Sequence, residues 1–489
     1  MLVIGLDIGT TGTKALLVDD TGKIRGAGYQ GYPLITQDRC VEQDPEAWWH
    51  ACRSAIQQAC AGDLARQVTA ISVSAQGATL AALSESRQPI GNAITWLDTR
   101  ATAETEQIRE KLGDAYIYNA TGWKLSPSLD AAKILYMKET AAYRQARWFV
   151  STLEYINQKL TGRLVIDPTC AGIRQLYNTT TGRWDAEILS AIGCRADELP
   201  EILPAGTFLG TLLPEAAEAL GLSADVRVFN GAHDQHCASL GSGAVHAGDL
   251  LLSTGTAWAV MAISQQPVHS ESCISSCPHP ISGLYGNMVS LTGAGTAYQW
   301  MRDRFFGDLT LSQLDARAAQ RIGQSKELIF LPWLSGTLYP YYMGNAKGGF
   351  LGADLSTVPE DLALSVMESA AFAVKATIED FARHGFAPQT LYVMGGASKS
   401  AVWMDILQGV TEMQLQKLHV TDVCALGAAA IALVALDCFS GYGEAAAAMS
   451  GREPLPESTE DAAYYREKYR LYRRMTAHMA SFYQTAAES

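Results

Sequence analysis

The chain has no cysteine pair at CxxC spacing, no GxxxxGK[ST] loop, no apolar run long enough to span a bilayer and no excess of basic charge. Each absence removes a class of function. Ten cysteines are scattered along the 489 residues. Cys273 and Cys277 lie close in sequence, but no second pair of cysteines or histidines at zinc spacing accompanies them, so the thiols read as reduced residues of a cytosolic protein. The longest apolar segment, Cys424 to Leu436, falls short of the roughly 20 residues a membrane helix needs and reads as a buried helix. No basic segment precedes the first apolar run, which Asp7 interrupts; this argues against a signal peptide and for a cytoplasmic location. A net charge of -13 disfavours nucleic acid and anionic membranes as partners. The missing GxxxxGK[ST] pattern excludes an ordinary P-loop.

What is present begins at residue 2. Leu2 to Leu6 and Ala15 to Val18 are apolar, branched and strand-like, and Gly9, Thr10, Thr11 and Gly12 separate them. A glycine turn frees backbone N–H groups to face an anion, threonine hydroxyls add uncharged donors, and Lys14 adds a cation. Asp7 ends the first strand, where a carboxylate can orient the waters of a magnesium ion. Residues 249 to 263 repeat the design, with Ser253, Thr254, Gly255 and Thr256 between two apolar runs. Two such hairpins half a chain apart predict duplicated domains facing each other across a nucleotide, with bounds at 1–243 and 244–489.

Other candidate residues fall between and after the hairpins. Asp44 and Pro45 mark a helix start, and Trp48 and Trp49 follow it as packing residues. Val68 to Ser74 reads as a buried strand emptying into Gln76, Gly77, Ala78 and Thr79, and Gln76 offers both a donor and an acceptor. Trp96, Asp98 and Arg100 combine an apolar disc with hydroxyl-binding groups, which suits a polyhydroxylated ligand; a structural Asp98–Arg100 ion pair fits the same residues equally well. Helices are expected over 126–139 and 149–162, and Asp167 is placed near the cleft. Asp234 follows the strand ending at Asn230 and is the candidate catalytic base, where an N-cap role is the alternative. His233 and His236 beside it have no further ligand cluster nearby and read as neighbours of the site, not as a metal centre. Gly293 and Gly295 open a helix after a strand, and Gly395, Gly396, Ala397 and Ser398 form a second strand-end turn able to approach a base or ribose. The alanine-rich helix after Cys424 is explained by close packing or by room for adenine. The GAGYQG segment from Gly26 has no helix after it and is set aside as a dinucleotide motif. The basic cluster of the C-terminal amphipathic helix reads as a solvated face.

These motifs, in this order, resemble the FGGY carbohydrate kinases, most nearly the xylulokinase-like members. The matching segments are DIGTTGTK, EQDPEAWW, QGAT, WLDTR, Gly231 to Asp234, STGT, GFLG with Glu368, and GGAS. The resemblance implies an α/β fold of two actin-like, ribonuclease-H-like (ASKHA) domains with an interdomain cleft holding ATP and magnesium. It implies phosphorylation of a terminal hydroxyl of a small sugar such as a ketopentose; ribulose, erythritol, glycerol and gluconate are alternatives within the family. Carried over, Asp234 is the base and touches the sugar, and Asp7 and Asp234 hold the metal through water. Gly9, Thr10, Thr11, Lys14, Ser253, Thr254, Gly255 and Thr256 attend the phosphates. Gly396, Ala397 and Ser398 attend the nucleoside, and Gln76 and Asp98 the sugar; from the turns and loops themselves, Gly293, Gly295 and Gly395 join the nucleotide candidates and Gly77, Trp96 and Arg100 the sugar candidates. Ala75 and Gln76 stand where xylulokinases usually carry methionine and histidine, and Tyr136 where tryptophan is usual. The first departure bears on which sugar is used. The expected partners are therefore a sugar and ATP; association into a homodimer is left open. From another class, an actin-like or chaperone-like ATPase without a sugar substrate would share the paired hairpins.

Overall fold

Two sheets repeat one strand order. The computed structural model describes residues 1–488 apart from 256–257, 271, 273, 292, 338, 342, 421 and 457–461. The first sheet runs Ile24–Gly31, Gly12–Asp19, Leu2–Ile8, Val68–Ala75, Arg227–His233, Phe208–Thr211. The second runs Tyr285–Leu291, Trp258–Ser264, Asp249–Thr254, Thr390–Gly395, Leu415–Leu418, Arg452–Pro454, with Ser275–Pro278 added outside Tyr285–Leu291. In both, three antiparallel strands are followed by two parallel additions and an antiparallel edge. The two hairpins predicted as copies thus occupy equivalent positions in equivalent sheets.

Local chemistry explains the elements around them. Pro45–Ala59 is a helix whose start is capped by the Asp44 carboxylate, which accepts the Glu46 N–H at 2.9 Å. It lies so close on Ile24–Gly31 that a Cβ at Gly26 or Gly28 would meet the Ala59 or Ala55 carbonyl at 2.1 or 2.0 Å, which accounts for the first two glycines of GAGYQG. The expected helix at 149–162 is instead a strand, Trp148–Ser151, followed by a helix, Thr152–Thr161; Ser151 and Glu154 form a capping box that sets the boundary. The helix expected from Ser126 starts only at Asp130, whose buried carboxylate is held by Arg174 at 2.6 Å.

The two sheets are joined by two helices, Asp234–Ser242 and Val423–Ala435. Ala425, Leu426 and Ala429 pack on Val3, Leu16 and Ala70 of the first sheet, whereas Ala238 and Val423 pack on Leu251, Met261 and Tyr392 of the second. The helices cross at bare backbone. A Cβ on Gly427 would fall 1.9 Å from the Cys237 carbonyl oxygen, and one on Gly241 would fall 2.0 Å from that of Val423. Close packing, not room for adenine, is what the small residues of this helix serve.

The C-terminal helix Ala462–Glu488 packs back on the second core through Tyr464, Tyr465, Tyr469 and Tyr472. Its basic cluster is not wholly a solvated face: Lys468 is buried and pairs with buried Glu368 at 2.6 Å. The stretch at 441–457, expected as a loop around a helix, also supplies the edge strand Arg452–Pro454. Every cysteine among the described residues is a free thiol. Among the described residues no helix is long and apolar enough to cross a membrane.

Candidate active site

The first hairpin is held from behind. The Gly9 N–H donates to the Gly12 carbonyl at 3.0 Å, and the Tyr32 hydroxyl donates to the Gly9 carbonyl at 2.5 Å. Gln43 donates to the Thr10 carbonyl at 2.5 Å, and the Trp96 indole N–H donates to the Thr10 hydroxyl at 3.0 Å. Thr11 stands exposed at the tip. Lys14 is fixed by Asp422 at 2.7 Å, so the second half of the chain positions the cation of the first hairpin.

In the second hairpin Thr254 is a stitch. Its hydroxyl donates to the Met394 carbonyl at 2.6 Å and accepts the Ala397 N–H at 3.1 Å, and its carbonyl accepts the Gly396 N–H at 2.8 Å. Gly395 needs its left-handed φ of 97° at this junction, where a Cβ would lie 2.7 Å from the Thr254 carbonyl oxygen. The hairpin and the GGAS turn therefore form one rigid corner. Ser253 and Gly255 flank Thr254, partly buried and exposed respectively; Thr256 lies outside the described residues.

Above this corner opens a cleft of about 380 Å³, lined by Thr254, Gly255, Gly295, Gly396 and Ala397. Trp258, Tyr298, Asp315 and Trp403, none of them singled out in the sequence as ligand-binding, complete its wall. The Trp258 and Trp403 rings lie 4.9 Å apart, and the Tyr298 hydroxyl is tied to Asp315 at 2.6 Å. Three residues expected at the nucleoside stand apart from the cleft lining, Gly395 in the corner beneath it and Gly293 and Ser398 beside it. Gly293 sits under the Pro332 carbonyl, 2.3 Å from where its Cβ would be, and the Ser398 hydroxyl turns back to the Gly395 carbonyl at 2.8 Å.

Asp7 and Asp234 come together where the first sheet meets the helix pair. Burial, reinforced by the negative charge of Asp234, raises the Asp7 carboxyl to about 7 against the opposing effects of Ser74 and Lys14. Ser74 donates to it at 2.9 Å. Burial raises Asp234 to about 6, with bonds from Gln235 acting the other way. Asp234 is the first residue of its helix; His233 occupies the cap position and makes no side-chain capping bond, so the N-cap alternative is not what the carboxylate does. Asp167, placed near the cleft by the sequence, is itself a buried N-cap, accepting the N–H groups of Thr169 and Cys170 at 2.9 and 3.0 Å.

The sugar-side loop adjoins this acid. A Cβ on Gly77 would meet His233 Nε2 at 2.7 Å, and that nitrogen lies 3.1 Å from Asp234 Oδ1. Buried Lys133, lowered to about 8 by desolvation, donates to the Ala78 carbonyl at 2.7 Å and pins the loop. Gln76 donates to Gln43 Oε1 at 2.7 Å, and its own Oε1 is buried without a partner among the described residues. Its orientation is settled by its neighbours. The Trp48 indole N–H donates to Gln43 Oε1 at 3.1 Å, which makes that atom an oxygen and the facing atom of Gln76 a nitrogen. Gln43, which binds Thr10, Trp48 and Gln76 at once, is a site residue that sequence reasoning missed. Asp98 and Arg100 form the ion pair allowed as the alternative. The buried Asp98 carboxylate accepts the Val41 N–H at 2.7 Å and several Arg100 bonds, and Arg100 also reaches Glu42 at 2.7 Å. These two groups saturate one another, whereas Trp96 remains half-exposed beside them.

A duplicated α/β fold with two carboxylates at the junction of its sheets and a cleft over the second hairpin places the chain in the actin-like class. The N-terminal domain of the FGGY family of carbohydrate kinases matches residues 2–241 and the C-terminal domain residues 250–436; the chain belongs to this family. It is 27% identical over 451 residues to a xylulose kinase of Bacillus subtilis, covering 91% of this chain and 90% of that one. It is 25% identical over 478 residues to a gluconokinase of the same organism, covering 94% and 93%. The solved xylulose kinase of Rhodospirillum rubrum superposes with a TM-score of 0.92 at 26% identity, covering 99% and 100%. The chain is an ATP-dependent sugar kinase with the two actin-like domains expected from its motifs.

Proposed function

We propose that this kinase phosphorylates a terminal hydroxyl of a neutral small ketose, most nearly a ketopentose such as xylulose, with Asp234 as the base. The observation that carries this reading is the absence of a free cation beside the sugar loop among the described residues, while the buried, unpartnered Oε1 of Gln76, which stands where xylulokinases usually carry histidine, awaits a sugar hydroxyl. A lone acceptor in a buried wall calls for an O–H donor. A sugar hydroxyl supplies one, whether on a ketose or an aldonate, so what separates the two is the aldonate's carboxylate, which would need a cation. The cations nearest the loop are spent, Lys133 on the Ala78 carbonyl, Arg100 on Asp98 and Glu42, and Arg174 on Asp130 and Glu154. This favours the substrate named for the xylulose kinases over that named for the gluconokinases.

Asp234 orients the acceptor hydroxyl and takes its proton as the new P–O bond forms. A loose transition state asks little basicity of it. Thr10, Thr11, Ser253 and Gly255 attend the phosphates, and the cleft walled by Trp403 takes the nucleoside. Asp7 and Asp234, close enough for the charge of one to raise the other, are carboxylates that would hold a magnesium ion through water. Such an ion, when bound, offsets the charge of the phosphate groups. The boundary near residue 243 falls within this reading, the first unit carrying sugar and base, the second the nucleotide.

A coupled ADP-release assay with ketopentoses, ketohexoses, polyols and aldonates tests the proposal. A ketopentose is expected to exceed gluconate in kcat/KM by about a hundredfold or more, the size of roughly 3 kcal/mol for a carboxylate left without a cation. Gluconate as the preferred substrate, or ADP release indifferent to every sugar, would overturn it.

A further inference from the structure

Two buried histidines stand behind the acid. His233 and His236 approach through their Nδ1 atoms, 3.3 Å apart. The other nitrogen of His233 faces outward, 3.1 Å from Asp234 Oδ1 and against Gly77 of the sugar loop. The other nitrogen of His236 faces the second sheet. It has no partner among the described residues, and a Cβ on Gly286 would sit 2.6 Å from it. Both rings are buried, and with their Nδ1 atoms facing at 3.3 Å only one of the two can carry a proton there.

Where those protons sit follows from what surrounds each nitrogen. A buried N–H without an acceptor is rarer and costlier than a bare lone pair. Were the His236 proton on Nε2, it would point into Gly286; on Nδ1 it meets His233. His233 Nδ1 must then accept, which leaves the His233 proton on Nε2, toward the carboxylate. The opposite arrangement would also set a His233 lone pair against an oxygen of Asp234. The neighbouring His279 offers no alternative partner, because its Nδ1 accepts the Ile281 N–H at 3.2 Å and its Nε2 lies 3.0 Å from the Ser239 hydroxyl.

We propose that His236 fixes His233 as its Nε2–H tautomer, and that His233 is thereby a positioning residue that holds Oδ1 of Asp234 and leaves Oδ2 to the acceptor hydroxyl. This rests on Asp234 being the base. Oδ1 has no aligned hydrogen bond in this structure, and at 3.1 Å His233 Nε2 is within reach of one, as catalytic hydrogen bonds in ligand-free enzymes are often poorly aligned. The packing of His236 on Gly286 makes the second sheet part of the device.

The test pairs His236→Phe, which keeps a ring but removes the donor, with His236→Asn, whose amide N–H lies close to the position of Nδ1. H236F is expected to lose about ten- to a hundredfold in kcat, the scale of a misplaced reacting group, with nucleotide affinity unchanged. H236N is expected to recover most of that loss. Nitrogen-15 NMR of the histidine-labelled protein without ligands is expected to show His233 as Nε2–H in the wild type and as mixed tautomers in H236F. Folded H236F with wild-type kcat, or wild-type His233 protonated on Nδ1, would overturn the proposal. If H236F does not fold, the wild-type spectrum and H236N decide. Retained turnover in Asp234→Asn would instead remove Asp234 as the base, which separates the two failures.

Discussion

The indole N–H of Trp96 donates to the hydroxyl of Thr10 across 3.0 Å, joining the WLDTR loop to the tip of the first hairpin although the two residues lie far apart in sequence. Trp96 is 43% exposed, so the bond links two binding regions without being part of the core. Trp96→Phe keeps the ring and removes the donor. A net hydrogen bond of about 1 kcal/mol corresponds to roughly a fivefold weakening of ATP binding with little change in melting temperature. Isothermal titration with a non-hydrolysable nucleotide checks this; unchanged affinity would mean that Thr10 needs no help from the sugar side.

Gln43 is the more costly link. Its amide serves Thr10, Trp48 and Gln76 together, and it is 1% exposed. Gln43→Leu leaves the Trp48 and Gln76 donors buried without acceptors, at about 1–3 kcal/mol each. The expected result is a lower melting temperature together with KM values for both ATP and sugar raised about tenfold, the size of a 1.4 kcal/mol loss. A rise confined to one substrate would show that the two sides are not coupled through this residue.

The contrast between these residues shows what was legible in the chain. The hairpins, the acid at a strand end and the GGAS turn are local patterns, each complete within a dozen residues, and their repetition exposed the duplicated fold. Gln43 sits in a segment read correctly as a helix start, yet its role depends on three partners brought together only by folding. Tyr298, Asp315 and Trp403 were invisible as cleft residues for the same reason. Asp98 and Arg100 fitted either a ligand or each other, and the ion pair became visible only once folding brought the Val41 N–H and Glu42 beside them.

Asp7 and Asp234 store a cost that ligand-free measurements can read. A carboxyl raised in the folded state binds its proton more tightly there than in the unfolded chain, so stability falls as pH rises from the unfolded value near 4 toward about 7. Asp7→Asn removes that penalty. In the absence of nucleotide it is expected to raise the melting temperature at pH 7.5 by about 2 °C or more, with the gain gone at pH 4, while phosphoryl transfer is lost. A melting temperature at or below wild type at pH 7.5 would show that Asp7 is not strained by its surroundings.

For Asp234 the pH argument concerns rate. The base must be ionised, and its carboxyl sits near 6, so kcat/KM is expected to fall as pH drops through about 6 and to level off above 7. Asp234→Asn is expected to lower kcat by about a thousandfold or more and leave nucleotide affinity nearly intact. Flat activity down to pH 5, or ready turnover by the variant, would assign the proton to another group.

The helix crossing carries the last prediction. At Gly427 a methyl group would overlap the Cys237 carbonyl at 1.9 Å, and at Gly241 the Val423 carbonyl at 2.0 Å, and neither backbone has a side chain that can swing aside. Overpacking of this kind costs typically about 1–3 kcal/mol and more when backbone must move. Gly427→Ala is expected to exceed that range, because Val423–Ala435 lies against the first sheet on its other side, with a Gly5 Cβ position 1.9 Å from the Ala425 carbonyl. The helix cannot retreat from Cys237 without pressing on Gly5. Since Asp234 opens the partner helix, the same displacement moves the base, so any folded G427A protein should lose kcat before it loses nucleotide binding. Denaturant unfolding alongside kinetics checks both halves, and a stable, fully active G427A would show that the two helices do not set the position of the acid.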